Sequence, residues 1–128
     1  MDRPICKVDI KEKFTVMTLT LDQVTSRENR ELLDLFNEVF AKGAKNIILD
    51  LSGTSYMSSM VIASLVSMHK RAGAEGGALA LCCVNERIQE ILDTTKLGKI
   101  FKIYPTLETA AGILSLGAKK PFWRKFLK

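Results

Sequence analysis

Apolar residues along this chain alternate between short continuous runs and three-to-four repeats, a pattern that predicts alternating strands and helices. Cys6–Ile10 and residues 14–21 are rich in β-branched and apolar side chains around a charged Lys11-Glu12-Lys13 turn, which predicts a β-hairpin. Thr25 and Glu28 then have the spacing of a capping box, in which a hydroxyl and a carboxylate satisfy each other's backbone donors at a helix start. Leu32, Leu33, Phe36, Val39 and Phe40 follow as an apolar stripe that stops at Lys42-Gly43. Residues 47–51, Ile-Ile-Leu-Asp-Leu, form a run suited to a strand buried on both faces. After a polar loop, Ile62, Leu65, Val66 and His69 share one helical stripe, which is expected to end at Ala72-Gly73. Residues 78–84 make a second continuous apolar run, and two such runs joined by a helix predict a right-handed parallel crossover. Asn85 caps a short helix with Ile88, Ile91 and Leu92 inward. Residues 97–104 read as a turn and a short edge strand, and Thr106 caps a last helix bearing Leu107, Ala110, Ala111 and Leu114. The expected fold is α/β, a mixed sheet of about four or five strands with about four helices in the order β-β-α-β-α-β-α-β-α.

Charge changes this picture only at one end. The 128 residues carry a formal charge of +5, which raises the question of a nucleic-acid partner. Five of the 19 basic residues fall in the last ten positions, however, and the other 14 balance the 14 acidic ones. The body is formally neutral and is not a basic nucleic-acid surface. We therefore divide the chain into a domain at 1–118 and a basic aromatic tail at 119–128, with Gly117-Ala118-Lys119-Lys120-Pro121 as the boundary. Phe122, Trp123, Phe126 and Leu127 would share one face of a coiled tail, opposite Arg124, Lys125 and Lys128. That segment packs back on the domain, stays disordered, docks on a partner or rests on an anionic membrane.

The remaining signals argue against catalysis. Cys82 and Cys83 sit in a strand-like run where neighbouring side chains leave by opposite faces, so neither a disulfide framework with Cys6 nor a zinc site is expected. No run approaches the ~20 apolar residues of a membrane span, and the start of the sequence has no charged-then-apolar leader pattern, which together predict a cytoplasmic protein. His69 has no carboxylate or thiol at ligand spacing and reads as a core-edge histidine. There is no Ser-His-Asp arrangement, Walker-type loop or CxxC motif, and neither an enzyme nor a cofactor is expected.

The ordered segments resemble a known family. Asp50-Leu51-Ser52 leading into Tyr56-Met57-Ser58-Ser59, preceded by Leu21-Asp22-x-x-Thr25 and followed by Tyr104-Pro105-Thr106-Leu107-Glu108, is similar to the STAS domain of bacterial anti-anti-sigma factors across residues 5–117. The resemblance implies an anti-sigma factor antagonist whose partner is an anti-sigma factor kinase, with ATP belonging to that partner. The family's loop runs Asp-Leu-Ser-x-x-x-Phe/Tyr-Met/Ile-Asp-Ser-Ser-Gly-Leu, and its first serine after the acidic residue accepts phosphate. That position is Ser59 here, with Ser58 as an alternative acceptor. Ser58 stands where the family has Asp, Met60 where it has its second Ser and Val61 where it has Gly. Some relatives carry a further phosphorylated threonine near Thr94 and Thr95, which otherwise read as a polar helix end.

The same loop stands out on physical grounds. A strand that enters a helix through a hydroxyl-rich turn puts Ser58 and Ser59 where unpaired N–H groups and the positive helix end favour an anion. One serine is expected to cap the helix while the other faces solvent. Asp22, Thr25, Ser55, Tyr56, Met57, Ser58 and Met60 are the expected partner surface around it. The alternative function is a non-phosphorylated STAS scaffold or accessory subunit of a membrane transporter or signalling complex, with the absent acidic residue at 58, the absent glycine at 61 and the basic aromatic tail in its favour.

Overall fold

The computed structural model describes residues 5–117; the expectations for Phe122, Trp123, Arg124, Lys125 and Phe126 lie outside the described residues. Seven strands and four α-helices are present among them: β1 (Cys6–Ile10), β2 (Thr15–Leu19), β3 (Gln23–Val24), α1 (Ser26–Ala41), β4 (Asn46–Asp50), β5 (Tyr56–Met57), α2 (Ser59–Ala74), β6 (Ala78–Cys82), α3 (Glu86–Thr94), β7 (Lys102–Tyr104) and α4 (Leu107–Gly117). Five strands form one mixed sheet in the order β1-β2-β4-β6-β7, antiparallel between β1 and β2 and parallel thereafter. The hairpin, the buried central strands and the β7 edge all occur as the apolar pattern predicts.

Alternation along the central strands supplies two cores. Ile47 and Leu49 of β4 and Leu79 and Leu81 of β6 join the large core against α1, α2 and α3. Ile48, Ala80 and Cys82 point the other way, onto Ala110 and Leu114 of α4. Both sides of the central strands are therefore dry, which is why their sequence is continuously apolar rather than alternating. Each α-helix of the larger face starts where the sequence placed a cap. At α1 the Thr25 N–H donates to Glu28 Oε1 at 2.9 Å, completing the capping box.

Three local expectations are corrected. The buried face of α1 is Leu32, Leu35, Phe36, Val39 and Phe40, with Leu33 only half-buried. Positions 32, 35, 36, 39 and 40 keep the three-to-four repeat, whereas Leu33 lies about 100° round the helix from Leu32. Helix α2 continues past Ala72-Gly73 to Ala74 because the chain reverses at Gly76, the residue with positive φ (+87°). The next residue, Gly77, passes so close to β4 that a Cβ there would lie 1.9 Å from the Lys45 carbonyl oxygen, so β6 can enter the sheet only with glycine at that point. The third correction is a second, two-stranded parallel sheet, β3 with β5, pairing Gln23 with Tyr56 and Val24 with Met57.

His69 is half-buried and accepts a hydrogen bond at Nδ1 from the Leu79 N–H at 3.3 Å, with Phe101 edge-on at 5.7 Å. It ties α2 to the start of β6, which is a packing role. Among the described residues no helix is long and apolar enough to cross a membrane.

Candidate functional site

The site is the exit of β4. Asp50 closes the strand and its Oδ1 accepts the Ser52 N–H at 2.9 Å, turning the backbone out of the sheet. Thr54, almost fully buried, donates its hydroxyl to the Leu21 carbonyl at 2.8 Å. Ser55 N–H donates to the Asp22 carbonyl at 2.8 Å and Ser55 Oγ to Asp22 Oδ1 at 2.6 Å. The Ser58 N–H then donates to the Val24 carbonyl at 3.1 Å. Residues 21–24 thus line one side of the loop as a template. On the other side Asn85 Nδ2 donates to the Thr54 carbonyl at 3.4 Å, and the Arg87 guanidinium lies 4.9 Å from the centre of the Tyr56 ring. A loop bonded along both flanks is held in one shape before any partner arrives.

That shape decides how the two serines divide their work. Ser58 has extended backbone (φ −71°, ψ 161°), and its Oγ accepts the Val61 N–H at 3.4 Å, making it the N-cap of α2. Ser59 is the first helical residue and is exposed. Its hydroxyl makes no hydrogen bond to any described residue. The first turn of α2 carries no acidic side chain, so the positive end of the helix is not already neutralised from within. Met60 beside it is 53% exposed and puts an apolar side chain next to that hydroxyl.

The other expected surface residues distribute unevenly. Asp22 is exposed, while Ser55 and Tyr56 are half-buried at the loop. Thr25 is half-buried and committed to capping α1. Met57 is fully buried, because pairing of β5 with β3 turns its side chain into the main core. It supports the surface from beneath and offers nothing to a partner. Arg87, which the sequence reading did not select, joins the site through its stacking on Tyr56; an arginine two residues past a cap gave no signal by itself. Thr95 donates its hydroxyl to the Ile91 carbonyl at 2.8 Å and caps α3, while Thr94 is the exposed last residue of that helix.

Set against known proteins, the chain matches the model of the STAS domain over residues 7–110. The chain belongs to the STAS-domain family. This STAS domain is 33% identical over 97 residues to a Thermotoga neapolitana protein whose name places it with the anti-sigma factor antagonists, an alignment spanning 74% of this chain and 86% of that protein. A crystal structure from Thermotoga maritima, likewise titled for an anti-sigma factor antagonist, superposes with a TM-score of 0.76 at 25% identity, covering 88% of this chain and 96% of that one. The fold is also that of the Bacillus protein SpoIIAA in its phosphorylated form, with a TM-score of 0.66 at 15% identity over 84% of this chain and 96% of that one.

One part of the STAS domain contradicts the sequence reading. Cys82 and Cys83 do not leave by opposite faces, because Cys83 has left-handed backbone (φ 59°) and both thiols lie on the α4 side of the sheet. All three cysteines are free. Burial, and then the nearby Asp50 carboxylate, push both the Cys82 and the Cys83 thiols above the ordinary range, so they resist ionisation.

Proposed function

We propose that the protein is an anti-sigma factor antagonist that docks on an anti-sigma factor kinase through the surface around Ser59 and is released when that partner phosphorylates Ser59. The observation that carries this reading is the division between the two serines: Ser58 caps the helix, and Ser59 presents an uncommitted, exposed hydroxyl at its first residue. The named relatives support the same role.

The switch follows from charge. Phosphate adds roughly −1.5 to −2 and three acceptor oxygens at one point. On the free protein that charge sits at the positive end of α2, next to the Ser59 and Met60 N–H groups, which precede the first intrahelical bond from Ile62 to Ser58. The host therefore tolerates it. A partner closed over exposed Met60 and half-buried Tyr56 meets a dianion in a contact that was partly apolar. A penalty of about 3 kcal/mol for burying that charge weakens binding more than about 100-fold. Release needs no refolding, because the loop is bonded on both flanks irrespective of Ser59.

Calorimetric titration of an anti-sigma factor kinase with the parent, Ser59→Ala and Ser59→Asp chains tests the reading. Ser59→Ala should bind like the unmodified parent and stay bound in the presence of ATP, and Ser59→Asp should bind more weakly. Equal affinity for all three, with ATP present, refutes the switch.

A further inference from the structure

Asp50 ends β4 and Cys82 ends β6 directly opposite it in the parallel register. Cys83, the next residue, is turned back by its left-handed backbone. The result is that a carboxylate oxygen of Asp50 and the Sγ atoms of Cys82 and Cys83 all lie within 4.8 Å of one another. Asp50 and Cys82 are buried and Cys83 is half-buried, so Cys83 is the most solvent-accessible member of the group. Cys82 is packed against Ala110 and Leu114 of α4, and Cys83 lies at the edge of the same cluster beside Leu107. The carboxylate oxygen is a metal ligand as it stands, and the two thiols become ligands once their protons leave.

The geometry points to a binding site for one thiophilic divalent cation of the zinc and cadmium class, held by Asp50, Cys82 and Cys83, with a further coordination position open toward Cys83's exposed side. The three atoms are near enough to share a cation: even at the 4.8 Å limit a common centre lies about 2.8 Å from each, so side-chain shifts of about 0.5 Å bring them to a Zn–S bond of about 2.3 Å. Two thiolates and a carboxylate also match the ligand preference of this cation class, whereas calcium and magnesium require several oxygen ligands. On binding, two S–H bonds break, two metal–sulfur bonds form and two protons pass to solvent. Two thiolates beside a carboxylate would repel one another in this buried place without the cation, and its charge removes that obstacle. This site is independent of any reading of Ser59.

The test uses the full chain, reduced and stripped of metal, titrated with cadmium while the thiolate-to-metal absorbance in the ultraviolet is followed, and with zinc in competition with a coloured chelator. The site predicts saturation at one equivalent, no competition from magnesium, and an unchanged response in Cys6→Ala. Cys83→Ser, at a half-buried turn position that tolerates a hydroxyl, should weaken zinc binding at least about 100-fold, more than loss of a group that merely orients a ligand. Asp50→Asn should weaken it less than Cys83→Ser but measurably. Circular dichroism verifies that each variant is folded. No cadmium band at one equivalent, or a band undiminished in both folded Cys83→Ser and Cys83→Ala, overturns the site.

Discussion

Helices α2 and α3 begin in the same way and are prepared for different things. Each follows a strand paired in parallel, β5 before α2 and β6 before α3, and each is capped by a polar side chain that accepts the N–H three residues on: Ser58 from Val61 at 3.4 Å, Asn85 from Ile88 at 2.8 Å. At α3 the first turn already contains Glu86, which complements the positive helix end. At α2 the first turn contains no acid, its cap bond is long, and its exposed residues are a serine and a methionine. The structure has completed one helix start with its own charge and left the other incomplete. An incomplete helix start beside a bare hydroxyl is where an added phosphate costs the host least, and the apolar Met60 next to it is what an incoming partner would cover.

Variants at the two starts sharpen this contrast. The largest effect belongs to phosphorylation of Ser59: partner affinity should fall more than about 100-fold while the melting temperature of the free chain does not fall, read by titration and calorimetry on the same sample. Next is Asn85→Ala, which removes both the short cap bond and the contact with the Thr54 carbonyl, and should destabilise the fold by about 1–2 kcal/mol in urea unfolding. Ser58→Ala removes only the long bond and should cost about 0.5–1 kcal/mol by the same assay. If the two caps proved equal, the asymmetry in cap strength would be wrong. The smallest pair is electrostatic. Ser59→Asp should stabilise the free chain and Glu86→Gln destabilise it, each by about 0.3–1 kcal/mol at low salt, with both effects shrinking as salt rises.

The parts of this contrast that could be read from sequence are those set by periodicity and spacing. Residues 47–49 and 78–84 are continuously apolar, and that alone gives two strands dry on both faces; Thr25 with Glu28, and Asn85 before Ile88, announce helix starts through local chemistry. The serine pair could also be narrowed to one cap and one exposed hydroxyl, although which is which depends on where the helix begins. What stayed hidden arises from contacts distant in sequence. The β3–β5 pairing involves two residues on each strand, too few to show a period, so the burial of Met57 had no signal. Arg87 reaches the site only because α3 packs beside β5. The left-handed backbone at Cys83 is a tertiary imposition on a residue that does not favour it, and no pattern in an apolar run foretells it.

Intact-mass spectrometry with site mapping, on the full chain purified from its own cells beside a Ser59→Ala version, addresses the role of the incomplete helix start most directly. The account predicts a species one phosphate heavier in the parent, mapped to Ser59 and missing from Ser59→Ala. A phosphate that persists in Ser59→Ala, or a parent chain that stays unmodified while its kinase partner is present and active, contradicts it.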